Sequence, residues 1–369
     1  MNKESVLKEE IYKCSKCGLC KSVCPVFIAT KNEMFLSRGR FIVLNAFYNS
    51  SKKITKDFIK NLDVCLNCNA CKNFCPSNID SYNIFSNIKD KFNYKYSILD
   101  FSFFYKVWLN LFRIFRFLYK IFPFKSLFLG TLVDDFFAEK VLRNKRREIG
   151  EGKEKGKVVY FEGCINKFIN KNDKIASLNL IEKLGFSVEK IISDCCGYPY
   201  INEGNFKKLN SNMNRILYKI PSDVNYIVCS CDSCFDTLKK AIKSFQNSNV
   251  FLSKLITLDE FLKINNFNFE NIPEAVYFKP LLRTSECYIP HNSKVIKKKG
   301  LCSSMENFFI LKYPKIAKEI INNSFYVDDE ISDKILFSSC QLSRIGLIKS
   351  LKIKGIKTTV MSYSEYVSK

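Results

Sequence analysis

Residues 14–25 read CSKCGLCKSVCP and residues 65–76 read CLNCNACKNFCP. Both have the form C-x2-C-x2-C-x3-C-P, an internal repeat too specific to be accidental. Three thiolates at two-residue spacing wrap one corner of a 4Fe-4S cube, while the fourth cysteine, at the turn closed by proline, ligates the other cluster. The spacing predicts one cluster on Cys14, Cys17, Cys20 and Cys75, and a second on Cys65, Cys68, Cys71 and Cys24. Structural zinc is the competing use of C-x2-C. Zinc sites take two pairs of ligands, however, so a triplet followed by Cys-Pro, twice, has no zinc rationale.

Residues 26–64 separate the motifs, too many for short hairpins to link the sites. FLSRGRFIVLNAFYN and KDFIKNLDVC carry apolar residues at i, i+3 and i+4, which predicts helices with the clusters between them. Arg38 and Arg40 of SRGR either donate to cluster sulfur, face a partner, or lie in a solvated turn.

The 369 residues allow two or three domains, and 47% hydrophobic with 26% charged residues describes a globular chain. With 17 Cys and one His, a His-rich metalloenzyme or a Ser-His-Asp hydrolase lacks raw material, so sulfur must carry the chemistry. The opening MNKESVLKEEIYK has no apolar signal core, which predicts a reducing cytoplasm. SLFLGTLV (126–133) falls far short of the ~20 residues that span a bilayer, so no transmembrane helix is expected.

From Phe101 to Gly130 there are twelve aromatics, five basic residues and no acid. On a helix, Lys106, Arg113, Arg116 and Lys120 share one arc opposite a broad face of Phe, Trp108, Leu and Ile. Such a helix either attaches peripherally to the inner face of the cell membrane, or is a linker packed against the protein or a partner subunit. VLRNKRREIGEGKEKGK (141–157) then marks a domain boundary.

From Val158 the pattern becomes α/β. VVYFEGC reads as a strand ending at Cys164, DKIASLNLIEKLGF as a helix stopped by Gly185, and FKKLNSNMNRILYKI as a second helix. VNYIVCSCDSC reads as a strand running into a cysteine-rich turn. Cys164, Cys195, Cys196, Cys231 and Cys234 should therefore converge on one sheet edge. The adjacent Cys195 and Cys196 suit a cluster better than one tetrahedral ion, with Gly197 and Pro199 turning the backbone closely around it. Cys229 reads as an extra buried thiol, Cys287 as a packed one, and His291 as a surface residue.

The order Cys164, Cys195-Cys196-Gly197 and Cys231-x2-Cys234 resembles the CCG cysteine-rich module of heterodisulfide reductases and of glycolate oxidase, lactate-utilisation and glycerol-3-phosphate dehydrogenase iron–sulfur subunits. Two dicluster motifs with SRGR between them and CCG modules after them look most like the glycolate oxidase iron–sulfur subunit. The resemblance implies an α+β multidomain chain. A helical ferredoxin domain with two 4Fe-4S clusters (1–91) and the aromatic linker (92–157) would precede two related α/β CCG modules (158–265 and 266–369). The second module is degenerate: Phe278-Lys279-Pro280-Leu281-Leu282, Cys302-Ser303-Ser304 and Cys340-Gln341-Leu342-Ser343 stand where the family has its ligand motifs. With two thiols remaining, it should be a metal-free scaffold, while the first module should hold a third iron–sulfur cluster.

The chain has no GxGxxG, no GxxxxGK and no paired acid and base, which places the organic chemistry on another polypeptide. The leading expectation is an electron-transfer subunit, taking electrons from a flavoprotein 2-hydroxyacid or glycerol-3-phosphate dehydrogenase toward a quinone or another carrier. The alternative is a disulfide reductase acting at the Cys195/Cys196 cluster. The net charge of +23 invites a nucleic-acid reading. Cluster-bound thiolates offset part of it, the basic residues are dispersed and no recognition helix is present, so no nucleic-acid partner is expected.

Overall fold

The computed structural model describes residues 3–49, 55–92, 155–168, 170–243, 248–269, 272–280, 287–289, 293–299, 313–324 and 334–369. The aromatic basic stretch with Lys106, Arg113, Arg116 and Lys120 lies outside them, as do His291 and Cys302.

The first cysteine repeat is flanked by α1 (Lys3–Tyr12) and α2 (Pro25–Thr30). After α3 (Ser37–Asn49) and α4 (Lys56–Asp63), the second repeat runs through the short α5 (Ala70–Asn73) to α6 (Ser81–Lys91). Local signals set these boundaries. Thr55 Oγ1 accepts from Phe58 N at 3.1 Å to cap α4, and Asp80 accepts from Asn83 N at 3.1 Å to cap α6. The helices close around Phe41, Leu44, Phe58, Leu62, Phe85 and Ile88, a core that also touches Cys14, Cys65 and Cys75.

The rest is built on two four-stranded parallel sheets. In the first, β1 (Gly156–Phe161), α7 (Gly163–Phe168), α8 (Lys171–Lys183), β2 (Phe186–Ile192), α9 (Tyr198–Glu203), α10 (Phe206–Tyr218) and β3 (Tyr226–Cys229) lead to α11 (Asp232–Ile242), α12 (Ser248–Lys254), β4 (Leu255–Thr257) and α13 (Leu258–Ile264). The second contains β5 (Ala275–Lys279), β6 (Val295–Lys299), α14 (Pro314–Ser324), β7 (Ile335–Ser338), α15 (Gln341–Lys354), β8 (Val360–Ser362) and α16 (Tyr363–Val367). Their orders, β2-β1-β3-β4 and β6-β5-β7-β8, are the same pattern twice. The inner strands VVYF, IVC and LFS are buried along their length, as parallel strands covered on both faces require.

One expected boundary moves. β1 stops at Phe161, and Cys164 stands in α7 because Gly163, at φ 70°, turns the chain out of the strand.

A buried polar network fastens the two sheets together. Asp173 on α8 accepts from Ser230 Oγ at 2.7 Å, from Asn166 Nδ2 at 2.5 Å and, on α16, from Ser364 Oγ at 2.5 Å. Burial pushes its carboxyl up to about 6, against the pull of the Ser230 and Ser364 hydroxyls. Because this folded value lies above the unfolded one, the stability linked to protonation is fully present below the unfolded pKa near 4. It is lost as pH rises through about 6, a swing of about 3 kcal/mol. In denaturant titrations, the difference between wild type and Asp173→Asn should vary with pH between these limits and level off above them. A pH-independent difference would mean that the carboxyl titrates alike in both states.

Candidate iron–sulfur centres

The two repeats fold the same way. The second and fourth residues after the first cysteine are left-handed in both: Lys16 (φ 61°) and Gly18 (φ 86°), then Asn67 (φ 50°) and Asn69 (φ 54°). These reversals curl each loop so that backbone N–H groups meet sulfur. Lys16 N–H reaches Cys14, Leu19 N–H reaches Cys17, Ala70 N–H reaches Cys68, and Asn67 N lies 3.4 Å from Cys65 Sγ.

Two cavities result. Cys14, Cys17, Cys20, Cys71 and Cys75 line the first. Cys24, Cys65, Cys68 and Cys71 line the second. Cys75 thus stands with the first triplet and Cys24 with the second, while Cys71 lines both cavities. Neither cavity is lined by a carboxylate or an imidazole. Sulfur-only donors ringed by N–H groups fit iron–sulfur clusters. Burial pushes Cys71 up to about 12 and raises Cys24 and Cys68, so ligation here must displace protons. Ser37, Cys71 and Ser81 wall both cavities, with the two hydroxyls 2.8 Å apart.

The arginines of SRGR divide between the cavities. Arg38 pairs with Glu33 and lines the first. Arg40 is buried, lines the second, and donates to Asn61 O at 2.8 Å and to Val64 O. Its charge lowers the cost of an ionised Cys24. A solvated turn is therefore wrong for Arg40: α3 packs it inward. Gly39 between them is required by contact, since a Cβ there would lie 2.1 Å from Glu33 O.

At the sheet edge, Cys164, Cys195, Cys196, Cys231 and Cys234 form a chain of thiol contacts, in the order 164–195–196–234–231. Cys195 and Cys196 follow β2, and Cys231 caps α11. Hydrogen bonds from Cys195 and then Cys234 lower the Cys196 thiol. Gly197 makes the CCG turn possible: its φ is 95°, and a Cβ would lie 2.6 Å from Leu209 Cδ1. Cys229 and Cys287 are packed thiols, each buried in an apolar core.

The sequence places Cys340 in a degenerate, metal-free second module; the structure sets its thiol against Cys231. It also missed the seam between the helical region and the CCG turn. Tyr198 Oη donates to Leu66 O at 3.2 Å, Asn67 Nδ2 to Asn202 Oδ1 at 2.6 Å, and Lys89 Nζ to Asn202 O at 2.9 Å. Tyr82 and Tyr198 stack with centroids 6.4 Å apart. No motif announces these contacts.

Comparison with known proteins agrees with this layout. Residues 10–79 match the 4Fe-4S dicluster domain family and residues 158–239 match the cysteine-rich domain family. The glycolate oxidase iron–sulfur subunit of Escherichia coli (strain K12) is 22% identical over 266 residues, 67% of this chain and 62% of that protein. The probable glycolate oxidase iron–sulfur subunit of Bacillus subtilis (strain 168) is 32% identical over 78 residues, 21% of this chain and 18% of that protein. The matches thus span less than two thirds of either relative. The chain thus carries a match to a 4Fe-4S dicluster domain followed by a match to a cysteine-rich domain, and over these regions it is similar to glycolate oxidase iron–sulfur subunits.

Proposed function

We propose that this protein is the iron–sulfur subunit of an oxidoreductase complex, taking electrons from a flavoprotein dehydrogenase of glycolate, lactate or glycerol-3-phosphate type toward a quinone or another carrier. The supporting observation is that three sets of thiols stand in series. The first two share a wall of Ser37, Cys71 and Ser81, and the second is joined to the CCG turn by the Tyr198–Leu66 hydrogen bond. The proposed ligands are Cys14, Cys17, Cys20 and Cys75; Cys24, Cys65, Cys68 and Cys71; and Cys164, Cys195, Cys196, Cys231 and Cys234. The proposed divisions are residues 1–91, 92–157, 158–265 and 266–369, the last a degenerate second CCG module.

When bound, the clusters supply one-electron carriers. The chain's own residues do the rest. The loop N–H groups stabilise sulfur charge, and Arg40 holds a buried positive charge beside the second site. Val26, Leu66, Ala317, Ile320 and Ile321 keep water from that site, where α14 packs over α2. At the first site, Cys17 is exposed, with Leu19 (55%) and Phe74 (50%) presenting apolar surface beside it, a face suited to a redox partner. Among the described residues no helix is long and apolar enough to cross a membrane.

Anaerobically purified chain should oxidise no 2-hydroxyacid by itself, and substrate-dependent reduction of a quinone analogue should appear when a flavoprotein dehydrogenase is co-expressed. Dehydrogenation by the lone chain would overturn this reading. Reduction of a disulfide by the lone chain would replace it with the disulfide-reductase alternative.

A further inference from the structure

The geometry points to Cys340 as a further sulfur donor to the centre of Cys164, Cys195, Cys196, Cys231 and Cys234, supplied across the molecule from the second sheet. The inference rests on reading those five thiols as an iron–sulfur site.

Cys340 and Cys231 occupy equivalent places. Each follows an inner parallel strand and caps the next helix, at φ −122°, ψ 119° for Cys231 and φ −113°, ψ 124° for Cys340. The two caps are locked face to face: Asp232 N donates to Ser339 O at 3.2 Å, and Ser339 Oγ donates to Asp232 Oδ2 at 2.5 Å. Cys340 is fully buried, in the same core as Cys196, Cys231 and Cys234. Its Sγ lies 3.1 Å from the hydroxyl of Ser233, the residue before Cys234, and its thiol is in hydrogen-bond contact with Cys231. The backbone N–H of Gln341, at the start of α15, is also directed at Cys231 sulfur.

Packing alone is the ordinary role of a buried cysteine. Cys340 instead touches a hydroxyl and a thiol of the candidate centre. Where its own C-x2-C pattern would close, Ser343 stands instead, with a buried hydroxyl that finds no hydrogen-bond partner among the described residues. Serine is a poor iron ligand at neutral pH because its proton is far less acidic than a thiol's. Cys340 is thus better placed to complete the first sheet's centre than to begin a second one. Coordination would exchange its S–H bond for a sulfur–iron bond, releasing one proton and moving no electron, and would tie the second sheet to the first.

The test uses the full-length holoprotein, anaerobic, with iron per chain and Mössbauer spectra recorded for wild type, Cys340→Ser, Cys340→Ala, Cys229→Ser and Cys196→Ser. Expected are an altered spectrum or loss of the third centre in both Cys340 variants, unchanged signals from the two dicluster sites, and a wild-type spectrum for Cys229→Ser. Wild-type iron and spectrum in the Cys340 variants, with the centre lost in Cys196→Ser, would sink the role of Cys340 alone. An unchanged Cys196→Ser would sink the centre itself. Should the Cys340 variants not fold, the wild-type chain decides: iodoacetamide labelling under mild denaturation, mapped by mass spectrometry, should find Cys340 protected by iron together with Cys231. Labelling of Cys340 that ignores iron, as expected of Cys287, would refute the proposal.

Discussion

Replacing Cys75 with serine is expected to dismantle the cluster built on Cys14, Cys17 and Cys20 while leaving the one built on Cys65, Cys68 and Cys71, although Cys75 is a near neighbour of the second set in sequence. The reason is geometric. Cys75 lines the first cavity, and Cys24, its counterpart in the other repeat, lines the second. Iron should fall by one cluster, and the magnetic interaction between two reduced clusters should collapse to the signal of a single one in electron paramagnetic resonance. Cys24→Ser should do the converse. Loss of the local cluster in either variant would show that each repeat ligates its own site.

The second large effect concerns Arg40. Its guanidinium is buried, donates to Asn61 O and Val64 O, and lies with its Cζ 5.8 Å from the centre of the Phe85 ring. Among the described residues no carboxylate pairs with it, and the charge it faces is at Cys24 and the second cavity. Arg40→Leu should cost about 2 to 4 kcal/mol in stability, because two carbonyls lose a charged donor in a buried place. It should also make the cluster on Cys65, Cys68, Cys71 and Cys24 harder to reduce, since a compensating positive charge is gone. Arg38→Leu is the control: that side chain is partly exposed and paired with an exposed Glu33, so its loss should change stability by less than about 1 kcal/mol. Equal effects from both arginines, or no shift in the cluster's potential with Arg40→Leu, would contradict this account.

Much of the dicluster region is legible in the primary structure because iron–sulfur ligation is local. Three ligands fall within seven residues, and a loop that short has few ways to point three sulfurs inward. The same holds for helix ends, where Thr55, Asp80 and Asn205 cap the turns that follow them. The strands β1 and β3 are readable as short apolar runs, and the Cys195-Cys196-Gly197 turn carries its own steric signature in Gly197. Cys164 was misplaced by a strand end because a single left-handed glycine outweighed the apolar run before it.

What the chain's order by itself determined, then, are the features whose partners lie within one turn or one loop: the two thiol triplets, the CCG turn and the strands that present it. Tertiary structure alone decided which arginine of SRGR went inside, that Tyr198 would meet Leu66 132 residues away, and that Cys340 would reach Ser233 across 107 residues. Parallel sheets bring together strand ends that are distant in sequence, and only packing of the finished layers selects which buried polar groups face one another. A cysteine read as the remnant of a separate site therefore came to lie beside the thiols of the first.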